Sequence, residues 1–220
     1  SGSSLAELLR ETSKLGGRFL VRVGMANPQH CSKELWRAYS EKTYSFAHLP
    51  VQSGSDAVLR HMNRPYSARE FLKVVRDYRE LVGGSLATDV IIGYPTETDA
   101  DFEETVKLVE KTGFDVVNVS KYGRRPGTSA AKLKPLPTET VKARSRLLAR
   151  IAREKALEKN ESLVGKQFDA LIIEGGKRGV VARTTDYKPV VLEKGVIGSF
   201  VRVAIDSAAP THLFGEAIKE

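Results

Sequence analysis

The amino-acid sequence predicts an α/β fold in two parts, an open or incomplete parallel α/β barrel followed by a small antiparallel β-barrel. Short β-branched strands alternate with amphipathic helices through the first three quarters of the 220-residue chain, which is typical of βαβ units. From about residue 163 the pattern changes to short strands separated by turn glycines. We therefore expect two domains, residues 1–162 and residues 163–220.

The first part contains four predicted strands, with a helix before the first strand and another after the last. The strands are RFLVRVGM, SFAHLPVQ, LATDVIIGYP and DVVNVSKYG. Ser67 and Glu70 predict a capping box for the helix between the second and third strands, and Gly83 predicts its end. A closed barrel of this type needs more strands, so an open or incomplete one fits better.

The second part contains five short segments of alternating polarity, each bounded by a turn. They are QFDALIIEGG, RGVVARTTD, KPVVLEKG, SFVRVAID and THLFGEAI. Five such strands in so short a stretch predict a small antiparallel barrel, which buries one face of each strand.

Charge and composition indicate which kind of partner the chain binds and in which compartment it works. The net charge of +8 is concentrated between Lys121 and Lys166, whereas the segment from Asp89 to Asp115 is acidic. This contrast indicates an anionic partner at one place, although a solvated helix face is an equal alternative. No apolar run is long enough for a membrane span, and the single cysteine cannot form an internal disulfide, so we expect a cytoplasmic protein without a membrane partner.

Polar residues follow the second and third strands, where ligands bind in parallel α/β folds. Gln52 and Ser53 could bond ribose hydroxyls or the charged ends of an amino acid, or they could form a capped turn before the next helix. Asp89 lies inside an apolar strand and needs either a partner in the core or a ligand, because an unpaired buried carboxylate is costly. Gly93 permits another group to approach the backbone closely.

Arginines mark two further turns. Arg125 follows the fourth strand between Gly123 and Gly127, and Arg64 lies in the turn HMNRPYS. Each could hold a carboxylate or phosphate, or simply occupy a surface turn. The four histidines show no metal-binding spacing, and no Walker or dinucleotide motif is present.

The motifs HLPVQSGSDAVLRHMNRPYS, TDVIIGYPTETDADFEETVKLVE and NVSKYGRRPGTSAAKL resemble, in this order and spacing, the second half of the radical S-adenosylmethionine (SAM) domain of tRNA methylthiotransferases. The closing segment resembles a TRAM domain, the small RNA-binding β-barrel that ends those enzymes. RVGMANP favours the archaeal and eukaryotic branch, which acts on N6-threonylcarbamoyladenosine at position 37 of tRNA. The resemblance therefore implies half of a radical SAM barrel and a tRNA partner bound at the anticodon stem-loop.

The resemblance also implies a reaction and its cofactors. One 4Fe–4S cluster cleaves SAM to a 5′-deoxyadenosyl radical, a second 4Fe–4S cluster takes part in sulfur delivery, and a methylthio group is placed on adenine C2. Five matched positions are implied to contact SAM: Gln52, Ser53, Asp89, Gly93 and Arg125.

The family binds its clusters through a CxxxCxxC motif and three further cysteines, and neither set is present. Cys31 is the only cysteine. Although a helix start beside it could lower its thiol pKa, we interpret it as structural or incidental. We therefore expect a C-terminal fragment that has no catalytic or metal-binding residues of its own and is inactive alone; a degenerate homologue is an alternative.

An RNA interface is predicted from the residues themselves. Four cations of the last helix of the first part fall on one face because their spacings are 4, 4 and 3. In the second part, an aromatic ring that could stack on a base lies among cations. With Arg64, matched to a family turn, the predicted RNA-binding residues are Lys142, Arg146, Arg150, Arg153, Arg178, Arg183, Tyr187 and Lys188.

Two other functions remain open. A catalytically silent TRAM-type module would bind RNA through the β-barrel alone, and an aldolase or isomerase could use Lys121 as a Schiff base. We also expect the strand RFLVRVGM to expose an unpaired edge, which favours self-association.

Overall fold

A three-stranded parallel sheet lies at the centre of the first part of the chain. The computed structural model describes residues 4–176 and 179–218. The strands are β1 (Phe46–His48), β2 (Ser85–Ile92) and β3 (Val116–Lys121), and β2 lies in the middle. Phe46 pairs with Ser85, and Asp89 pairs with Asn118, so the polar residue of β2 has a polar neighbour on β3.

The segment RFLVRVGM is extended but is not a regular strand, so the prediction that it is one of four sheet strands is wrong. Val21 and Met25 form isolated parallel bridges to Thr43 and His48. A strand needs a continuous hydrogen-bonded neighbour, and β1, on this side of the sheet, has only three residues. The segment therefore follows the sheet edge without completing a ladder.

Six α-helices surround the sheet among the residues described. They are α1 (Leu5–Ser13), α2 (Lys33–Arg37), α3 (Asp56–His61), α4 (Ala68–Leu81), α5 (Asp99–Thr112) and α6 (Thr138–Glu161). The predicted capping box of Ser67 and Glu70 begins α4, and Thr98 caps α5 in the same way. The main core packs between helices and sheet around fully buried residues such as Trp36 and Phe71.

Five strands close into the predicted small barrel. They are β4 (Gln167–Gly176), β5 (Gly179–Thr184), β6 (Pro189–Leu192), β7 (Phe200–Ala208) and β8 (Leu213–Ile218), in the order β4-β5-β6-β8-β7. Four of the five pairings are antiparallel, whereas β6 and β8 are parallel. A closed ring with an odd number of strands cannot alternate in direction throughout, so one parallel pair is unavoidable. The division that we propose between the domains falls in the connection from α6 to β4.

The turn from β5 to β6 inserts into the open sheet of the first part. The Tyr187 ring lies 4.9 Å from that of Tyr44 and 5.0 Å from that of Phe46, and the Arg22 and Arg183 guanidinium groups lie 4.9 and 4.4 Å from its centroid. These partners surround the ring with aromatic and cationic groups. Tyr187 therefore packs at the junction of the two parts, and its stacking on an RNA base stays a prediction.

A buried polar network joins the sheet, α6 and the β-barrel beside this turn. The Asp115 carboxylate accepts hydrogen bonds from Lys188 Nζ at 2.6 Å, from Lys159 Nζ at 2.6 Å and from the Leu86 backbone amide at 2.8 Å. Lys188 Nζ also donates to Asn160 Oδ1 at 2.8 Å. The RNA-binding role predicted for Lys188 is corrected accordingly, because the residue is 8 % exposed and its charge is paired with Asp115.

A second buried ion pair fastens α6 to the loop after β2. Arg144 Nη1 donates to Glu97 Oε2 at 2.8 Å and to the Glu97 carbonyl at 3.1 Å, while Glu97 Oε2 also accepts from the Gly93 amide at 2.9 Å. Burial raises the pKa of the Glu97 carboxyl above its usual range. Glu97 needs the guanidinium because a buried carboxylate without a cation is costly. Arg144 was not singled out from the sequence, since its burial on a basic helix has no local signal.

We predict that Arg144→Met lowers the free energy of unfolding by about 3 kcal/mol, because it leaves Glu97 buried without its cation. Urea unfolding followed by circular dichroism measures the change. Arg146→Met is the matched control, since Arg146 is exposed on the same helix and its loss is expected to cost less than about 0.5 kcal/mol. Equal costs for the two variants would contradict the assignment.

The Asp115 network predicts a pH dependence of stability. Burial raises the pKa of the Asp115 carboxyl, but the Lys188 and Lys159 ammonium groups outweigh it and hold that pKa below its ordinary value. The stability that the Asp115 network contributes is therefore fully present above the pKa of this carboxyl in the unfolded chain, near 4. It is lost as the pH falls through the lower pKa of the folded protein.

We expect Asp115→Asn to flatten the dependence of unfolding free energy on pH below about 4, because Asn carries no titrating proton. Chemical denaturation between pH 7 and pH 3 measures it. Asp169→Asn, which removes an exposed carboxylate of the β-barrel, is the control and should keep the wild-type slope. Identical slopes for wild type and Asp115→Asn would disprove the role of the network.

Candidate functional site

A cleft of about 800 Å³ opens at the carboxyl ends of the sheet strands. Residues after β1, within and after β2, and after β3 all reach it, as expected for a ligand site in a parallel sheet. Its lining includes Gln52, Arg64, Asp89, Ile91, Tyr94, Ser120, Lys121, Tyr122 and Arg125. The cleft thus brings together three of the five residues predicted to contact SAM, and Arg64, which was predicted to bind RNA.

Gln52 lies in a strained backbone conformation at the floor of the cleft. Its φ is +69°, in the left-handed region that residues other than glycine seldom occupy. The Gln52 amide donates to the Asp89 carbonyl, and the Gln52 carbonyl accepts from the Ile91 amide, each at 2.9 Å. These two bonds hold the strained residue against β2. Strain of this kind concentrates at functional sites, and here the outlier lies in the candidate cleft.

Asp89 has partners within the protein and also borders the cleft. Its Oδ1 atom accepts a hydrogen bond from Asn118 Nδ2 at 2.8 Å and lies 3.0 Å from His48 Nε2. The side chain is 26 % exposed. The Asp89 carboxylate therefore has the partner that its place in an apolar strand requires, and a ligand in the cleft can still reach it. His48 and Asn118 were not predicted, although the register places Asn118 opposite Asp89 and His48 opposite Ala87, two residues before Asp89 on the same face of β2.

Ser53 and Gly93 are buried away from the cleft. Ser53 is 1 % exposed, and its Oγ lies 3.3 Å from Thr105 Oγ1 of α5. Gly93 has φ +79°, and a Cβ added there would lie 2.6 Å from Cγ2 of Val141 on α6. The group that approaches Gly93 closely is thus a helix side chain. Both residues pack against helices and neither lines the cleft, so the SAM contacts predicted for them stay predictions without support from the cleft.

Two buried polar atoms at the cleft have no hydrogen-bond partner among the described residues. They are Arg64 Nε and Tyr122 Oη. The Tyr122 ring packs edge-on against that of Tyr94 at 5.3 Å, which fixes it at the wall. Unpartnered buried donors are rare in folded proteins, so their place in the lining indicates a ligand with acceptor atoms.

The predicted basic stripe lies on one face of α6. Its four residues, Lys142, Arg146, Arg150 and Arg153, are all exposed, whereas Leu148 on another face is fully buried. Lys142 pairs with Glu139 at 2.9 Å, and Arg150 lies 3.9 Å from Glu154. Exposed pairs of this kind are weak, so they leave the stripe available to phosphates.

In the β-barrel, Arg183 is half-buried, and its Nη1 donates to the Tyr187 carbonyl at 3.2 Å. Arg183 therefore borders the junction rather than a free surface. Arg178, also predicted to bind RNA, lies outside the described residues.

Cys31 is half-buried rather than poised for reaction. Its Sγ donates to the Asn27 carbonyl at 3.5 Å, and burial raises the pKa of the thiol to about 12. The helix start beside it is real, with Ser32 Oγ accepting from the Leu35 amide, but it does not lower that pKa. The described residues contain no group of three His, Cys, Asp or Glu side chains placed to hold a metal ion. No helix in the described ranges is both long and apolar enough to cross a membrane.

Comparison with known proteins supports the resemblance found in the motifs. The sequence profile of the Radical SAM superfamily matches residues 3–109. A probable threonylcarbamoyladenosine tRNA methylthiotransferase from Pyrococcus abyssi is 46 % identical over 99 % of this chain and 52 % of its own length. The corresponding protein of Drosophila melanogaster is 37 % identical over the whole chain and 41 % of its own length.

Two further proteins are similar to this chain at lower sequence identity. A tRNA-2-methylthio-N(6)-dimethylallyladenosine synthase from Cereibacter sphaeroides is 34 % identical over 99 % of this chain and 51 % of its own length. Among solved structures, coproporphyrinogen III oxidase from Escherichia coli, a radical SAM enzyme, superposes with a TM-score of 0.56 at 19 % identity, over 69 % of this chain and 36 % of its own. That likeness shows the shared fold alone.

The chain spans about half the length of the curated relatives that it matches. Its sheet, its closed β-barrel and its similarities agree with the resemblance predicted from the three motifs, which is confirmed. Residues 3–109 match the Radical SAM superfamily, and over nearly its whole length the chain is similar to tRNA methylthiotransferases.

Proposed function

We propose that this chain is part of a radical SAM enzyme that methylthiolates C2 of N6-threonylcarbamoyladenosine at position 37 of tRNA. The observation that carries the proposal is the 46 % identity, over 99 % of the chain, to a relative described as a methylthiotransferase for that nucleoside. The cleft supports it, because the polar strand ends that the motifs single out converge there. A cytoplasmic location follows as part of the proposal, since tRNA is the substrate.

SAM fits the residues that line the cleft. Its amino acid portion carries a carboxylate, for which the unpartnered Arg64 Nε and the exposed Arg125 are suitable donors. Its ammonium and hydroxyl groups are donors, for which the Asp89 carboxylate and the Gln52 amide are acceptors. SAM, when bound, supplies the 5′-deoxyadenosyl radical of the reaction. In the proposed arrangement, Gln52, Asp89, Arg64 and Arg125 bind and orient it.

The two 4Fe–4S clusters of the proposed enzyme do not fit this chain's residues. Cluster irons are held mainly by cysteine thiolates, and the chain has one cysteine, whose thiol pKa is raised by burial. We therefore propose that the cluster ligands come from polypeptide outside these 220 residues, and that the chain alone does not cleave SAM. A silent TRAM-type RNA-binding module is the second candidate, favoured by the same single cysteine.

The proposed tRNA contact combines the stripe on α6 with the β-barrel, and its target is the anticodon stem-loop. Four exposed cations on a helix of 24 residues, about 36 Å long, can follow a phosphate backbone. Self-association is proposed separately, at the edge formed by the segment from Val21 to Met25. Met25 there is 64 % exposed, and Leu8 on the adjacent α1 is 59 % exposed.

We expect the chain to bind tRNA with an affinity that falls steeply as salt rises. The double variant Arg146→Gln/Arg153→Gln should reduce the slope of log K against log salt by about 1.5, since each lost phosphate contact removes 0.7–0.9. Fluorescence anisotropy at several KCl concentrations measures the slope. Lys107→Gln/Lys111→Gln on α5 is the charge-matched control. A slope unchanged by the α6 variant would exclude the stripe from the interface.

We expect the cleft to bind S-adenosylhomocysteine, the non-sulfonium analogue of SAM, even without clusters. Arg125→Gln should weaken binding about tenfold, because it removes a charged partner of the carboxylate. Isothermal titration calorimetry measures the change.

The neighbouring variant Arg124→Gln is the control for this experiment. The Arg124 side chain bonds the Ala131 carbonyl at 2.7 Å and is not part of the cleft lining, so binding should stay at the wild-type value. Equal loss in both variants would show that net charge, and not a contact in the cleft, governs the affinity.

A further inference from the structure

The face of α6 that carries the basic stripe continues along the helix to the β-barrel. Asn160 follows Lys142 by 18 residues, about five turns of 3.6 residues, so the two side chains leave the helix in the same direction. At Lys142 that face is open to solvent, whereas Asn160 is 5 % exposed. Asn160 Nδ2 donates to the Ala209 carbonyl at 2.8 Å in the connection between β7 and β8. The barrel therefore covers the far end of the face that carries the stripe.

Two rings lie where the stripe meets the barrel. His212, just before β8, and Phe214, on β8, flank Leu213, which is fully buried in the barrel core, so both side chains point away from that core. Their ring centroids are 4.7 Å apart with an interplanar angle of 72°. Phe214 is 39 % exposed, and His212 borders a cavity of about 230 Å³ together with Asn160.

The fixed contact between α6 and the barrel makes these groups one surface. Asn160 accepts from Lys188 and donates to the Ala209 carbonyl, so the last turn of α6 cannot rotate away from the barrel without breaking both bonds. Arg153, the last residue of the stripe, lies seven residues before Asn160, about 10 Å along the helix axis. Cations and rings are thus within reach of one short stretch of nucleic acid.

We propose that His212 and Phe214 form a stacking platform for unpaired bases of an RNA whose phosphates lie along the α6 stripe. Single-stranded RNA is recognised by this combination of cations for the backbone and aromatic faces for the bases. The charge of the stripe favours RNA over an apolar protein partner. The proposal rests on the proposed function and deepens it, because it assigns the unpaired nucleotides of the substrate to a place on the barrel.

The test compares two RNAs and three variants of the whole 220-residue chain. One RNA is a stem-loop with 2-aminopurine in its loop, and the other is a fully paired duplex of equal charge. Phe214→Leu and His212→Gln remove aromatic surface while keeping side chains of similar size. Ile218→Ala is the control, since Ile218 lies on the same strand and is 37 % exposed. Thermal unfolding confirms that each variant retains the barrel.

Phe214→Leu should bind the stem-loop about tenfold more weakly than wild type and the duplex equally well, because stacking needs an unpaired base. The quenching of 2-aminopurine fluorescence seen with wild type should disappear in Phe214→Leu and persist in Ile218→Ala. Unchanged affinity and quenching in Phe214→Leu, with wild type still bound, would overturn the platform alone. No binding of either RNA by wild type at low salt would overturn the proposed function and the platform with it.

Discussion

The Asp115 carboxylate is the interaction on which the arrangement of the whole chain depends. It lies just before β3 and accepts hydrogen bonds from the backbone of β2, from Lys159 on α6 and from Lys188 of the β-barrel. One buried anion thus ties together the sheet, the long basic helix and the second domain. Because the two lysines outweigh the cost of burying the charge, the network keeps the barrel fixed beside the end of α6.

The same fixed arrangement separates the two proposed binding surfaces. The cleft lies at the carboxyl ends of the strands, with Gln52 and Asp89 held by backbone and side-chain bonds. The Tyr187 turn packs near the opposite ends, against residues at the start of β1. α6 links these regions, since Arg144 fastens it to the loop after β2 and Asn160 fastens it to the barrel. In the proposed enzyme, the cofactor cleft therefore lies beside one end of this helix and the His212–Phe214 platform beside the other, with the basic stripe along the helix between them.

Local patterns predicted the helices and the barrel strands, and three of the five residues predicted to contact SAM line the cleft, because caps, periodicity and strand ends are properties of short segments. They could not predict which of several lysines is buried. Lys188 and the stripe lysine Lys142 look alike in sequence, and only the approach of Asp115 from 73 residues away distinguishes them. Gly93 is a second example. The sequence predicted that another group approaches its backbone closely, but not that this group is the Val141 side chain.

The most direct test of the account is a chimera, in which this chain replaces the matching half of the Pyrococcus abyssi relative. The chimera is expressed in cells that contain N6-threonylcarbamoyladenosine but cannot methylthiolate it, and the intact relative serves as the positive control. Mass spectrometry of tRNA nucleosides measures the product. If the proposed function is right, 2-methylthio-N6-threonylcarbamoyladenosine appears. A folded, SAM-binding chimera that leaves only the unmodified threonylcarbamoyladenosine would contradict it.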